Sequence, residues 1–303
     1  MPVLASGLDY IDLTFLGRPE IIATAILHGP SGVALVDPGP TTTLGNLTTA
    51  LTRKGIRFDE VRQILVTHIH LDHAGAVGTI VDKYPHLEIV VHARGARHLA
   101  SPEKLLASAG RLYGQDMDRL WGEVKAVPRE RLLVVEGGET LSIAGRDVRV
   151  AYTPGHASHH VSYFDEASRV AFVGDTGGIR RGSGTYVMPP TPPPDIDLEA
   201  WRESRDKILA WNPDTLFLTH FGPFQGVRQH FDGMLENLDQ WSATVRRLLD
   251  SPLPDDARQQ QFKDEAYADL RRRVGEVEAD DYTRAGGLGY SWSGLARYWS
   301  RKV

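Results

Sequence analysis

Within VTHIHLDHAG, residues Val66 to Gly75, stand four side chains able to bind a metal ion: His68, His70, Asp72 and His73. They lie where a strand-like run, Val61 to Val66, passes into a loop. In an extended chain, side chains two apart point the same way, so His68 and His70 can grip one ion while a turn carries Asp72 and His73 toward a second. A solvated loop explains the cluster poorly, because neighbouring imidazoles and a carboxylate are costly to bury unpaired. The 303 residues include no cysteine, so an ion must be held by imidazole and carboxylate alone. That donor set suits zinc first and also accommodates iron or manganese. Two divalent ions about 3.5 Å apart acidify a shared water enough to supply hydroxide near neutral pH, a nucleophile for a carbonyl or phosphoryl centre. By position, Asp72 is the carboxylate that would orient this hydroxide and pass on its proton.

Three further signals fall at the ends of strands or hairpins: His156 in TPGH, Asp175 in VGD and His220 in LTH. Each is weak alone. Together with Asp37 in VDPG, and in this chain order, the set resembles the five-motif pattern of the metallo-β-lactamase superfamily over residues 10 to 222. The resemblance implies that His68, His70 and His156 hold a first metal, that Asp72, His73 and His220 hold a second, and that Asp175 bridges them. It places Asp37 behind the ligands, fixing their loop by hydrogen bonds. The implied fold is an α/β (α+β) four-layer αββα sandwich of two mixed sheets, with the site along one edge.

The elements that must position these residues follow from periodicity. Asp9 to Phe15, Glu20 to His28 and Val33 to Val36 read as a strand meander. Leu44, Leu47 and Leu51 take helical spacing before Gly55, and a strand at Val61 to Val66, a helix over Ala74 to Lys83 and a strand at Leu87 to Val91 follow. Leu105, Leu106, Leu112, Met117, Leu120 and Trp121 mark two short amphipathic helices, an insertion over 99–127 that is either a lid over the site or fixed packing. Strands resume at Arg131 to Val135, Thr140 to Ile143, Val148 to Tyr152, His160 to Phe164, Arg169 to Val173 and Thr215 to Thr219. The proline cluster Met188 to Asp197 crosses the surface as a stiff loop. Helices then take over, at Val227 to Leu249, Gln259 to Val274 and around Trp292, Leu295 and Trp299. The expected organisation is a metallo-β-lactamase-like domain over 1–225 and a helical portion over 226–303 packed on it.

Other polar residues are weaker candidates. His159 follows His156 closely and reads as a rim residue; His160, and His28, His86, His92, His98 and His230, read as structural. Arg180 and Arg181 in GDTGGIRRGSG are either a clamp for an anionic substrate or an exposed charged loop, and Tyr113 and Tyr186 are possible donors to substrate.

A formal charge of −5 gives no basic excess for nucleic acid or anionic membranes, and no segment approaches the roughly 18 apolar residues of a membrane span. The expectation is a cytoplasmic protein acting on a small molecule, with a homodimer possible through the insertion and the C-terminal aromatics. Within the resembled superfamily, Asp175 and the lack of cysteine argue against a dedicated β-lactamase, and His70 against the flavin-linked diiron members. The resemblance thus implies a hydrolase of carboxylic esters or lactones, thioesters or phosphoesters. The alternatives are a persulfide dioxygenase with a single iron and, outside catalysis, a metal-stabilised binding module.

Overall fold

The computed structural model describes residues 3–182 and 184–302. Among the described residues, thirteen strands form two sheets. The first runs β1 (Val3–Ala5), β2 (Leu8–Asp12), β3 (Ala23–Gly29), β4 (Gly32–Val36), β5 (Val61–Leu65), β6 (Glu88–His92) and β7 (Leu132–Val135), in that spatial order. Its first four strands pair antiparallel; β4 to β7 pair parallel, because helices cross between them. The second comprises β8 (Thr140–Ile143), β9 (Arg146–Tyr152), β10 (Val161–Asp165), β11 (Val170–Phe172), β12 (Thr215–Leu218) and β13 (Gly222–Phe224), with only β11 and β12 parallel.

Period-two alternation decides which face each residue serves. In β4, Ala34 and Val36 join Leu65, Val90, Tyr163, Phe172 and Phe217 in the core between the sheets, while Val33 and Leu35 face outward. The outer face of the first sheet is covered by α1 (Leu44–Arg53) through Leu47 and Leu51 and, after the short turn α2 (Leu71–Ala74), by α3 (Val77–Lys83) through Val77, Ile80 and Val81. The insertion follows as α4 (Ala93–Ala100), α5 (Glu103–Tyr113) and α6 (Met117–Leu120). The second sheet is covered by α7 (Leu198–Ala210), α8 (Val227–Leu249), α9 (Asp255–Val274), α10 (Glu276–Gly286) and α11 (Leu288–Ser300). Phe231, Met234, Leu238, Trp241 and Val245 line one stripe of α8 and share a single apolar cluster with Leu216 and Leu218 of β12. This is the αββα sandwich.

The structure departs from the sequence reading in several elements. The strand expected over Asp9 to Phe15 stops at Asp12, the end of β2, whose carboxylate accepts from the Thr14 and Glu20 amides at 2.8 Å each and turns the chain. Three residues earlier than expected, α2 begins at Leu71, so Asp72 and His73 sit on a helical turn. Helix α4 also went unforeseen. So did α7 and α10, which bury little: α10 offers only Ala279 and Tyr282 to the core.

Candidate metal centre

Each proposed ligand lies just beyond the end of a strand, on one edge of the sandwich. His68 to His73 follow β5, His156 stands in the β9–β10 connection, Asp175 is in a tight turn after β11, and His220 follows β12. Because the strands are anchored in the central core, their ends converge with little freedom.

The convergence has two halves. His70 Nδ1 lies 3.0 Å from His68 Nε2 and 2.9 Å from His156 Nε2. His220 Nε2 lies 3.2 Å from His73 Nε2 and 3.2 Å from an Asp72 oxygen. Asp175 stands between them: one oxygen is 3.2 Å from His73 Nε2 and 3.5 Å from His220 Nε2, the other 3.4 Å from His156 Nε2.

The outer ring nitrogens determine what the inner ones present. His156 Nδ1 meets the Pro190 carbonyl at 2.9 Å and His220 Nδ1 the Ile21 carbonyl at 2.7 Å. A carbonyl only accepts, so both Nδ1 atoms carry a proton and the neutral rings aim lone pairs inward. Nδ1 of His73 donates likewise to Asp37, at 2.8 Å. The Thr67 hydroxyl donates to Asp37, leaving its oxygen to accept from His68 Nδ1 at 3.1 Å. Lone pairs 3 Å apart repel unless a cation or proton lies among them. Asp175 Oδ1, buried and without a hydrogen-bond partner, is a further unmet acceptor. Such a donor set fits divalent metal.

Electrostatics distinguishes the two halves. Burial, reinforced by the other imidazoles, drives His68 well below the usual histidine range, and burial lowers His70 to about 4. Burial also opposes charge on His73 and His220, yet Asp175 and Asp72 outweigh it and raise both. Despite burial, which raises carboxylate pKa values, His73 and His220 hold Asp72 down to about 2. The first half therefore resists positive charge, while the second, beside two carboxylates, favours it.

Asp37 is the hub behind the ligands. Fully buried, it accepts from the Thr67 amide and hydroxyl at 2.8 Å each, from His73 Nδ1 and, at 2.7 Å, from the Thr219 hydroxyl. It thereby ties the β5 and β12 ligand loops together, at a left-handed φ of 51° that a non-glycine residue adopts only at some cost. His160 is packing support, its ring bonded to the hydroxyls of Thr153 and Thr176. Gly174 lies beside it at φ 44°, where a Cβ would fall 2.5 Å from Thr67 Oγ1.

A cavity of about 540 Å³ opens onto the cluster, reaching His70, Asp72, His156, Asp175 and His220. Tyr113 lines it, and burial with nearby Asp72 pushes its phenol up, keeping the proton available to donate. The other weaker candidates are not brought to this cavity. Arg180 lies over Phe224, 4.1 Å from the ring centre, and lines a separate cavity with Tyr186. Arg181 is buried against the Glu20 carbonyl and Asp281. His159 packs beside the rings of His68 and His70 rather than standing on the rim. Residues missed in the sequence are Phe15, Arg18, Trp121 and Tyr290, which line the cavity but come from distant segments with no shared motif.

A four-layer sandwich with histidines and aspartates converging at its open edge is the architecture of a metal-binding hydrolase. Residues 17–220 match the model of the metallo-beta-lactamase superfamily, and the chain belongs to that superfamily. It is 27% identical over 220 residues to the metallo-beta-lactamase fold-containing protein ST1585 of Sulfurisphaera tokodaii, covering 71% of this chain and 78% of the relative. A hydroxyacylglutathione hydrolase of Rhodopseudomonas palustris is 27% identical over 192 residues, 62% of this chain and 56% of the relative, so only about half of that enzyme is spanned. Among solved structures, the metallo-beta-lactamase family protein TTHA1429 of Thermus thermophilus superposes with a TM-score of 0.74 at 22% identity, covering 99% of this chain and 95% of that one. That likeness shows the shared fold, C-terminal helices included.

Proposed function

We propose that the protein hydrolyses an ester-type bond of a small molecule, a carboxylic ester or lactone, a thioester or a phosphoester, at a centre built for two divalent ions, zinc first. His68, His70 and His156 would hold one ion, and Asp72, His73 and His220 the other. The observation that carries this reading is Asp175, which turns one oxygen to each half. A bridging carboxylate has little purpose in a one-metal site. When bound, such ions supply Lewis acidity and a water that ionises near neutral pH.

The chain's own residues then have separable tasks. Asp72, partly exposed at the cavity floor, is positioned to orient the attacking water and take its proton. Tyr113, still protonated, is placed to donate a hydrogen bond to substrate. Hydroxyacylglutathione hydrolases among the relatives support thioesters as one substrate class.

Asp72→Asn tests the assignment. Chelator-stripped protein reloaded with zinc or manganese should hydrolyse members of an ester, thioester and phosphoester panel, and the variant, kept at saturating metal to offset the weakened ligand, should lose about 100-fold or more in kcat. Equal activity with and without metal would contradict the reading. A single iron with oxygen uptake on a persulfide would replace it with dioxygenase chemistry, and metal binding without any turnover would leave a binding module.

A further inference from the structure

We propose that the ester taken by this site carries a bulky apolar ring, seated against an aromatic wall that three distant stretches of the chain build over the metal-ligand cluster. Its chemistry rests on the hydrolytic reading above; the shape of the ligand rests on the cavity itself.

The wall is continuous. Phe15 stacks on Trp121 with ring centres 5.7 Å apart and planes 17° from parallel. Trp121 meets Tyr113 edge-on at 5.0 Å, and Tyr113 meets Tyr290 of α11 edge-on at 5.4 Å. All four line the cavity that reaches Asp72 and Asp175. At about 540 Å³ it is of a size to enclose most of a small molecule.

One feature beside the wall is costly unless something covers it. Leu16, at the cavity edge, is 45% exposed, and the backbone holding it there is left-handed at Leu16 (φ 52°) and Thr14 (φ 50°), neither of them glycine. Strain that presents an apolar side chain to solvent marks a contact surface.

Charge points the same way. The lining guanidinium groups of Arg119 and Arg284 are taken up by Asp116 at 2.9 Å and Asp281 at 2.7 Å. Among the described residues, exposed Arg18 is then the lining cation without a side-chain partner. Away from the metal ligands an anionic group finds few free cations in this lining, whereas a flat apolar group meets Phe15, Tyr113, Trp121 and Tyr290.

The test compares two acetates of similar intrinsic reactivity, ethyl acetate and naphthylmethyl acetate, by pH-stat on the zinc-loaded protein. Calorimetric titration of naphthylmethanol into wild type, Tyr290→Ala and Tyr290→Phe accompanies it, with thermal melts to confirm folding. The expected preference in kcat/KM for the naphthyl ester is about tenfold or more, falling by about tenfold in Tyr290→Ala and retained in Tyr290→Phe. Binding of the alcohol should weaken in parallel. A preference near one in wild type, or one unaltered by Tyr290→Ala in a folded protein, overturns the inference. Should neither ester be hydrolysed, the carboxylic-ester option falls, and calorimetry still decides: weaker alcohol binding in Tyr290→Ala supports the wall, and no binding to wild type overturns it.

Discussion

The ligand cluster and the cavity mouth above it are built in opposite ways. The cluster sits on strand ends rooted in the inter-sheet core, and nearly every polar atom behind it has a fixed partner: Asp37 alone accepts from Thr67, His73 and Thr219. The mouth is assembled from the turn around Phe15, the insertion and the start of α11, joined mainly by aromatic contacts, and α5 buries none of its residues fully. Hydrogen-bonded ligand loops give geometry that a displacement of an ångström would spoil. Apolar contacts tolerate substitution, so the mouth is the part able to change which molecule enters while the chemistry below it stays.

Disturbing the rigid half should have the largest effect. Asp37→Ala leaves the Thr67 amide, two threonine hydroxyls and His73 Nδ1 without their acceptor, and should weaken metal binding by about 10–100-fold in a chelator competition. Affinity close to wild type would mean that the strand ends alone hold the ligands. Gly174→Ala puts a methyl group against Thr67 and His160 at a left-handed position, and a loss of about 1–3 kcal/mol in denaturant unfolding is expected.

The scaffold of the mouth should respond least. Glu199 of α7 accepts from Tyr298 of α11 at 2.8 Å and pairs with Lys302. Burial is the largest single influence and raises its pKa, but the hydrogen bonds from Tyr298, the backbone and Lys302 together outweigh it and hold it down to about 2. Its folded pKa lies below the unfolded one, near 4.3. The contribution is therefore complete above that value, falls as pH drops toward 2 and is absent below. Because the pair is largely exposed, Glu199→Gln should cost under about 1 kcal/mol at pH 7, with the difference from wild type closing as melts are taken toward pH 2. A larger loss at pH 7 would show the mouth to be as rigidly built as the cluster.

The same contrast explains what could be read from the sequence. His68, His70, Asp72 and His73 stand within six positions because one strand end carries them, and a ligand set that dense is visible without a fold. Strands such as β4 and β12 are equally plain, since each face meets a different apolar layer. Helix α7 escaped notice because LEAWRESRDKILA carries six charged residues and buries only Leu198, Trp201, Ser204 and Ile208. The aromatic wall was invisible for a different reason: Phe15, Trp121 and Tyr290 become neighbours only through tertiary packing. Arg180 and Arg181, five and six residues after Asp175, stayed open between clamp and loop because sequence does not show that the turn after Asp175 carries the chain away from the cavity.

The most direct test of the central claim is elemental analysis of zinc-reconstituted wild type beside Asp175→Ala. A centre bridged by Asp175 predicts two ions per chain in wild type and loss of at least one in the variant. One ion per wild-type chain, unchanged by the substitution, would contradict it.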